Sequence, residues 1–347
     1  MSGRPPPPLP VARLPYPYRD EREVLGRLGA ALQQHLRWPD VVAAARPWVQ
    51  AVRDKPAPFW ALESLLREYP ISSAEGLALM RLAEALLRVP DAETAVALTA
   101  DQLGRADFEG DAREGPHRML ASLSASAIAL SKRFLPDAPG ESGLFRRLGA
   151  QTVVAATVRA IQLLGRQFVL GRDIGEAMRE AAQQRRAAAA LRFSYDMLGE
   201  GARTEADAAH YLAAYRHAIQ AIAAARQREG GPEAADGISI KLSALFSRYE
   251  EAQRERVLEV LVPRVAQLVE LAARADINLT IDAEESDRLE LSLEVFERLA
   301  STVAASFPHW RGFGLAVQAY QTRALEVIDE VARLARAQRL RFMVRLV

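Results

Sequence analysis

From about residue 191 the chain settles into an alternation that leaves few folds open. Arg192-Phe-Ser-Tyr-Asp-Met-Leu198, Gly237-Ile-Ser-Ile-Lys-Leu-Ser243, Ile277-Asn-Leu-Thr-Ile-Asp282, Phe313-Gly-Leu-Ala-Val-Gln318 and Leu340-Arg-Phe-Met-Val-Arg-Leu-Val347 are short runs rich in apolar and β-branched residues. Helical patterns at about 204–228, 250–275, 287–305 and 323–337 separate them. Short strands joined by helices of this length are βαβ units, because a parallel neighbour can be reached only by a long crossover. Two parallel architectures compete, an open doubly wound sheet and a (β/α) barrel. The first βα turn, Gly199-Glu-Gly-Ala-Arg-Thr204, lacks the third glycine of a dinucleotide fingerprint, and Gly312-Phe-Gly314 starts a strand instead of opening a helix. No phosphate loop of Walker type occurs. The reading is therefore α/β, a (β/α) TIM-type barrel with about five strands present.

In a barrel, the C-terminal strand ends line the active site. Here they carry Asp196, Lys241, Asp282 with Glu284 and Glu285 beyond it, Gln318 and Arg345. Any one of these alone is explained as well by a salt bridge at the barrel rim. As a set, polar residues closing successive apolar strands favour a ligand site, and a lysine ending an apolar run is costly to bury without a role. Three chemistries fit. Lys241 could bind a substrate carboxylate as a point charge. It could form a Schiff base with Asp282 or Glu284 as acid/base partner. Asp282, Glu284 and Glu285 could hold a divalent cation, although acidic residues there suit the N-terminus of the following helix better, with Ser286 or Asp287 as its cap. No metal ligand set is therefore assigned. His210 and His217 share a helix face without a third partner nearby, so none of the five histidines is assigned a role.

Composition narrows the function further. The chain has no cysteine, which excludes disulfides, thiolate metal sites and a thiol nucleophile. Lys plus Arg (45) nearly equals Asp plus Glu (44), so the basic excess of a nucleic-acid binder is lacking. No apolar run has the length of a membrane span, and the start lacks the apolar core of an export signal, so a cytoplasmic location is expected.

The first half reads differently. Residues 1–18 form a proline-rich tail, with Pro5 to Pro8, Pro10, Pro15 and Pro17 favouring polyproline II. Residues 19–190 read as helices throughout. Val24, Leu25, Leu28, Leu32 and Leu36 recur at helical spacing, and Ser72-Ser-Ala-Glu75 is a capping box. Further helices are expected at about 119–133, 143–170 and 174–190. Residues 191–347 hold the strands.

The strand-end motifs resemble a known family. Tyr195-Asp-Met-Leu-Gly-Glu200, Gly237-Ile-Ser-Ile-Lys-Leu-Ser-Ala-Leu245, Arg248-Tyr249, Leu279-Thr-Ile-Asp-Ala-Glu-Glu-Ser-Asp-Arg-Leu-Glu290, Ala316-Val-Gln-Ala-Tyr-Gln321 and Met343-Val-Arg-Leu-Val347 are similar to the proline dehydrogenase domain of the bifunctional proline utilization A (PutA) proteins. The likeness runs from about residue 19, and its helical stretches, Pro58 to Pro70 and Ser72 to Pro90, resemble that family's arm and helical domain. It implies FAD-dependent oxidation of L-proline to Δ1-pyrroline-5-carboxylate within proline catabolism to glutamate. Electrons would pass to a quinone, with the protein cytoplasmic or peripheral to the inner membrane.

By resemblance Lys241, Asp282 and Ala283 are the catalytic-site residues, with Lys241 pairing with the proline carboxylate. Gln318 and Arg345 would contact the flavin. The likeness does not extend to a ribbon-helix-helix domain, so nucleic acid is not an expected partner, and self-association is left open. Phe246-Ser247 stands where the family has His-Pro. In the family the strand carrying Arg345 continues, three more strands complete the barrel, and an aldehyde dehydrogenase domain follows. The expectation is thus an incomplete barrel, weakly active or inactive alone. The alternatives are a Schiff-base barrel lyase using Lys241 and a non-catalytic helical interaction module.

Overall fold

A computed structural model describes residues 13–33, 35–55, 169–197, 201–226 and 230–347. The capping box at Ser72 and the helices expected between residues 58 and 168 lie outside these. Described residues up to His35 and from Asp173 onward belong to one compact unit, and those between to a second. From the second unit the described helix is α2 (Trp38–Asp54), which has Pro39 in its first turn.

The first unit holds α1 (Glu21–Gln33), α3 (Ile174–Ala187), β1 (Ser194–Asp196), α4 (Glu205–Ala225), β2 (Gly237–Ile240), α5 (Val262–Ala275), β3 (Leu279–Ile281), α6 (Leu289–Ser306), β4 (Phe313–Val317), α7 (Ala324–Gln338) and β5 (Met343–Leu346). The five strands pair in parallel in the order β1-β2-β3-β4-β5. Sequential order matters here. Parallel crossovers are almost always right-handed, so a sheet wound in one direction carries its helices on one face. A doubly wound sheet reverses direction and covers both faces. This sheet is wound as part of a TIM-type barrel, in agreement with the sequence reading.

The strand period of two sorts the residues. Tyr195, Ile238, Ile240, Leu279, Ile281, Phe313, Leu315 and Val317 are buried and alternate with a second set. They meet the apolar stripes of the helices: Ile219 and Ile222 of α4, Leu268 and Ala272 of α5, Phe296, Leu299 and Val303 of α6, and Val331 and Leu334 of α7, all buried. Phe296 stacks on Phe313 with ring centroids 4.7 Å apart. Each such side chain contributes roughly 1.5–3 kcal/mol by leaving water. The opposite set, Ser194, Asp196, Ser239, Lys241, Asn278, Thr280, Asp282, Gly314, Ala316, Gln318 and Arg345, is small or polar. That inner face carries the candidate site.

Local signals explain most element ends. Thr204 and Asp207 form a capping box at the start of α4: the Asp207 N–H donates to Thr204 Oγ1 (3.1 Å), and the Thr204 N–H donates to Asp207 Oδ2 (2.8 Å). α5 and α7 both end on a left-handed residue, Asp276 (φ 52°) and Arg339 (φ 54°), immediately before β3 and β5. The helix expected from 250 starts irregularly. Pro263 has no N–H to give to a carbonyl four residues back, and a π turn, Val257–Leu261, precedes it, with the Val262 N–H bonded to the Val257 carbonyl. β2 is shorter than the run that announced it, because Leu242–Ala244 closes into a 3-10 turn. α6 begins without a side-chain cap, after a 3-10 turn at Ser286–Arg288, so neither Ser286 nor Asp287 caps it as expected.

Residues 13–19, at the end of the proline-rich segment, lie along α6 and α7. Leu14 is buried. Both the Arg13 and Leu14 N–H groups donate to the Glu290 carboxylate (3.1 and 2.9 Å). The Arg13 guanidinium pairs with Glu297 and with Glu330 (3.2 Å), and Arg19 pairs with Glu326 (2.8 Å).

Candidate active site

The strand register brings the strand-end residues into one row. β2 pairs Ile240 with Ile281, β3 pairs Ile281 with Leu315, and β4 pairs Ala316 with Arg345. One residue further along, Lys241, Asp282, Ala316 and Arg345 stand side by side on the inner face. Lys241 Nζ donates to Asp196 Oδ1 (2.6 Å) and to Asp282 Oδ2 (2.9 Å). The other oxygen of Asp282 accepts from Arg345 Nη2 (2.8 Å). Among the described residues, Asp282 is thus shared by two cations and Lys241 by two carboxylates. Ala316 is the small member of the row, and Arg345 reaches over it.

That reach shows that the sheet is curved. Arg345 Nη1 lies 3.0 Å from Ser239 Oγ, three strands away. Flat strands would separate β2 from β5 by about 14 Å, more than an arginine side chain spans. Curling of the sheet brings them together, and Gly314 keeps the path open. A Cβ placed there would collide with the Met343 carbonyl, so the close approach of β4 and β5 demands glycine.

Lys241 is held rigidly. Its side chain is 8% exposed, and its backbone N–H donates to the Tyr215 hydroxyl of α4 (3.1 Å). Burial lowers the pKa of its ammonium more than any other single influence. The hydrogen bonds to Asp196 and Asp282, with their charges, together outweigh burial and raise it above the ordinary lysine value. A Schiff-base nucleophile must be the neutral amine. This lysine is built to remain a cation, which counts against the lyase reading.

Beyond β3 the chain turns through Ala283, Glu284 and Glu285. Gln318, at the end of β4, donates Nε2 to the carbonyls of Ala283 (3.5 Å) and Glu284 (3.3 Å). The Glu284 carboxylate accepts the Ser243 N–H (3.1 Å) and pairs with Arg288 (3.4 Å). Burial raises its pKa, with the Ser243 hydrogen bond opposing. Glu285 is exposed and pairs with Arg288 (2.9 Å). Glu284 and Glu285 therefore diverge from Asp282, and no metal-binding group of three ligating residues exists among the described residues.

The five residues given a role by the family resemblance all come to this end of the sheet. Lys241, Asp282 and Arg345 form one connected network, while Gln318 and Ala283 sit beside it, joined to each other. Ser239, Ser194 and Tyr215 were missed. Ser239 carried a usable signal, standing two residues before Lys241 and so on the same face of β2.

Residues 177–347 match the family model described as proline dehydrogenase, and residues 61–168 match one described as the DNA-binding domain of proline dehydrogenase. The bifunctional protein PutA of Escherichia coli K12 is 41% identical over 296 residues, which is 82% of this chain and 22% of that protein. The Klebsiella aerogenes protein of the same name is 38% identical over 349 residues, 98% of this chain and 25% of that one. The chain thus spans about a quarter of the length of these relatives. Among solved structures, a mutant proline utilization A from Bradyrhizobium japonicum superposes with a TM-score of 0.65 at 41% identity, over 98% of this chain and 34% of that one. A proline utilization A solved with proline bound in remote sites gives 0.64 at 42% identity, with the same coverage of both chains.

Proposed function

Because the chain belongs to the proline dehydrogenase family, we propose that its strand-end row serves the FAD-dependent oxidation of L-proline to Δ1-pyrroline-5-carboxylate. The observation that carries this reading is the buried Lys241 side chain set in one row with Asp282 and Arg345. Proline carries a carboxylate, which would reach the Lys241 ammonium by taking the place of one of its present carboxylate partners. Asp196, whose side chain is 45% exposed, is the partner best able to give way to it. Ala283 narrows the loop beside Asp282 without adding charge.

The residues present suit a flavin. A flavin ring edge offers carbonyl and ring-nitrogen acceptors, and the neighbouring strand ends offer donors, the Arg345 guanidinium and the Gln318 amide. When bound, the flavin supplies the hydride acceptor, so no protein nucleophile is needed. The chain's own contribution is placement. Arg345 is held by Asp282 and Ser239, Gln318 is held by the Ala283 and Glu284 carbonyls, and Lys241 keeps its proton throughout.

A quinone at the membrane surface is the proposed onward acceptor, reached by a cytoplasmic or peripherally bound protein. No helix among the described residues is long and apolar enough to cross a membrane. We do not extend DNA binding to this chain. Residues 61–168 carry 12 Lys and Arg against 13 Asp and Glu, so the segment as a whole lacks the basic excess common among nucleic-acid binders.

The test is a titration of FAD into the purified chain, followed by quenching of flavin fluorescence, and then anaerobic addition of L-proline. Saturable quenching and bleaching of the flavin band by proline support the reading. Flavin that binds no better than to an Arg345→Ala, Lys241→Ala variant, and does not respond to proline, refutes it.

A further inference from the structure

One pair of hydroxyls on the inner face has no part in the proposed chemistry, yet is tied to it. Ser239 is fully buried in β2. Its Oγ lies 3.0 Å from Arg345 Nη1 and 2.9 Å from Ser194 Oγ on β1. One direction is fixed by chemistry. A guanidinium only donates, so Ser239 accepts from Arg345, while between Ser239 and Ser194 either hydroxyl can be the donor. The three groups form one connected chain in which each bond polarises the next.

The geometry gives Ser239 a specific task. A guanidinium bonded to Asp282 alone can still swing about that contact. A second anchor on the other terminal nitrogen fixes its plane. Asp282 holds Nη2 and Ser239 holds Nη1, so the plane is set from two strands at once. The second anchor is also neutral. Among the described residues the network already sets two carboxylates, Asp196 and Asp282, beside Lys241 and Arg345. A carboxylate in place of Ser239 would add negative charge and weaken the attraction of Arg345 for an electron-rich ligand.

We propose that Ser239, steadied by Ser194, is a positioning residue that fixes the Arg345 guanidinium for contact with the flavin. It acts through Arg345 and touches neither proline nor flavin. This inference rests on the flavin reading above.

The experiment is a double-mutant cycle on the full chain. Ser239→Ala is made alone and in an Arg345→Met background, which removes the guanidinium and keeps an apolar stem. Urea midpoints and FAD dissociation constants are measured for all four proteins, together with the absorption band of bound flavin. With Arg345 present, Ser239→Ala weakens FAD binding about tenfold, the scale of one hydrogen bond to a charged group, and shifts the flavin band. In the Arg345→Met background it changes neither. Ser239→Thr restores both properties. Should the added methyl prevent folding, Ser194→Ala at its exposed position takes over, with a smaller shift in the same direction.

Equal effects of Ser239→Ala in both backgrounds, or a folded Ser239→Thr that restores nothing, overturn the proposal. If the wild-type chain binds no FAD, the flavin reading fails separately. The urea cycle then decides: coupling between positions 239 and 345 upholds the positioning of Arg345, and additivity overturns it.

Discussion

Replacing Asp282 by asparagine isolates the charge at the centre of the row. The carboxylate serves Lys241 with one oxygen and Arg345 with the other, at 2.9 and 2.8 Å. Asparagine keeps the shape but offers one acceptor and turns an N–H₂ toward a cation. Breaking a buried pair by removing one partner costs about 3–5 kcal/mol, because the other charge stays behind. Lys241 retains Asp196, and the Arg345 side chain is 40% exposed, so solvent relieves part of the loss. A destabilisation of about 2–3 kcal/mol is expected on this basis, or roughly 5–10 °C in melting temperature for a unit of this size.

The same substitution moves the alkaline limit. The Lys241 pKa is raised by folding, so its stabilisation is fully present below the unfolded lysine value, about 10.4, and is lost as pH rises through the folded value. Without Asp282, burial gains ground over the partners that remain, and the loss begins at lower pH. Urea denaturation of both proteins from pH 7 to 11 measures this. If Asp282→Asn matches wild type within about 0.5 kcal/mol, the usual scatter of surface changes, or keeps the same alkaline profile, the row is not a coupled buried network and the reasoning fails.

Other parts of the fold give further expectations. Tyr215→Phe leaves the Lys241 N–H buried without its acceptor and should cost about 1–3 kcal/mol in urea midpoint measurements; a neutral result would mean that the amide finds another partner. Gly314→Ala drives a methyl into the β5 backbone and should destabilise by at least about 1–3 kcal/mol, with weaker FAD binding as Arg345 is displaced. The segment at Arg13–Arg19 should loosen in acid. Its partners Glu326 and Glu330 have lowered pKa values, Glu326 chiefly through its hydrogen bond to Arg19 and Glu330 chiefly through Arg333, with Arg13 adding to it. Their contribution is therefore present above the ordinary glutamate range and lost as pH falls through the folded values. Faster amide exchange at residues 13–19 at pH 4 than at pH 7, after correction for intrinsic rates, checks this; equal protection would count against the ion pairs as the hold.

The legible parts of the molecule were those written in period and punctuation. Five apolar runs spaced by helices announced a parallel sheet, and a first turn without the third glycine of the fingerprint removed the dinucleotide alternative. The polar strand ends showed because lysine, aspartate and arginine stand out against valine and isoleucine. What stayed hidden were residues whose type carries no such contrast. Serine at 194 and 239 is unremarked in a strand, and Tyr215 reads as an ordinary core aromatic, so their hydrogen bonds to the site depend on register and curvature. The early end of β2 was likewise unreadable. It depends on the Glu284 carboxylate taking the Ser243 N–H from forty-one residues away and on the Ala202 N–H taking the Ser243 carbonyl (2.8 Å). The divergence of Glu284 and Glu285 from Asp282 is a loop geometry that spacing alone does not set.

The row of charges also bears on how the chain is made. Its members come from separate βα units, and the link from Ser239 to Arg345 joins residues 106 positions apart. Synthesis therefore delivers Asp196, Lys241 and Asp282 well before the arginine that completes them. A nascent sheet that closed before β5 would hold Asp282 against Lys241 alone, short of the second cation that Arg345 supplies. Contacts this distant in sequence form slowly. A signal tied to Arg345 and Asp282 would consequently report the moment at which β5 joins the four strands made before it.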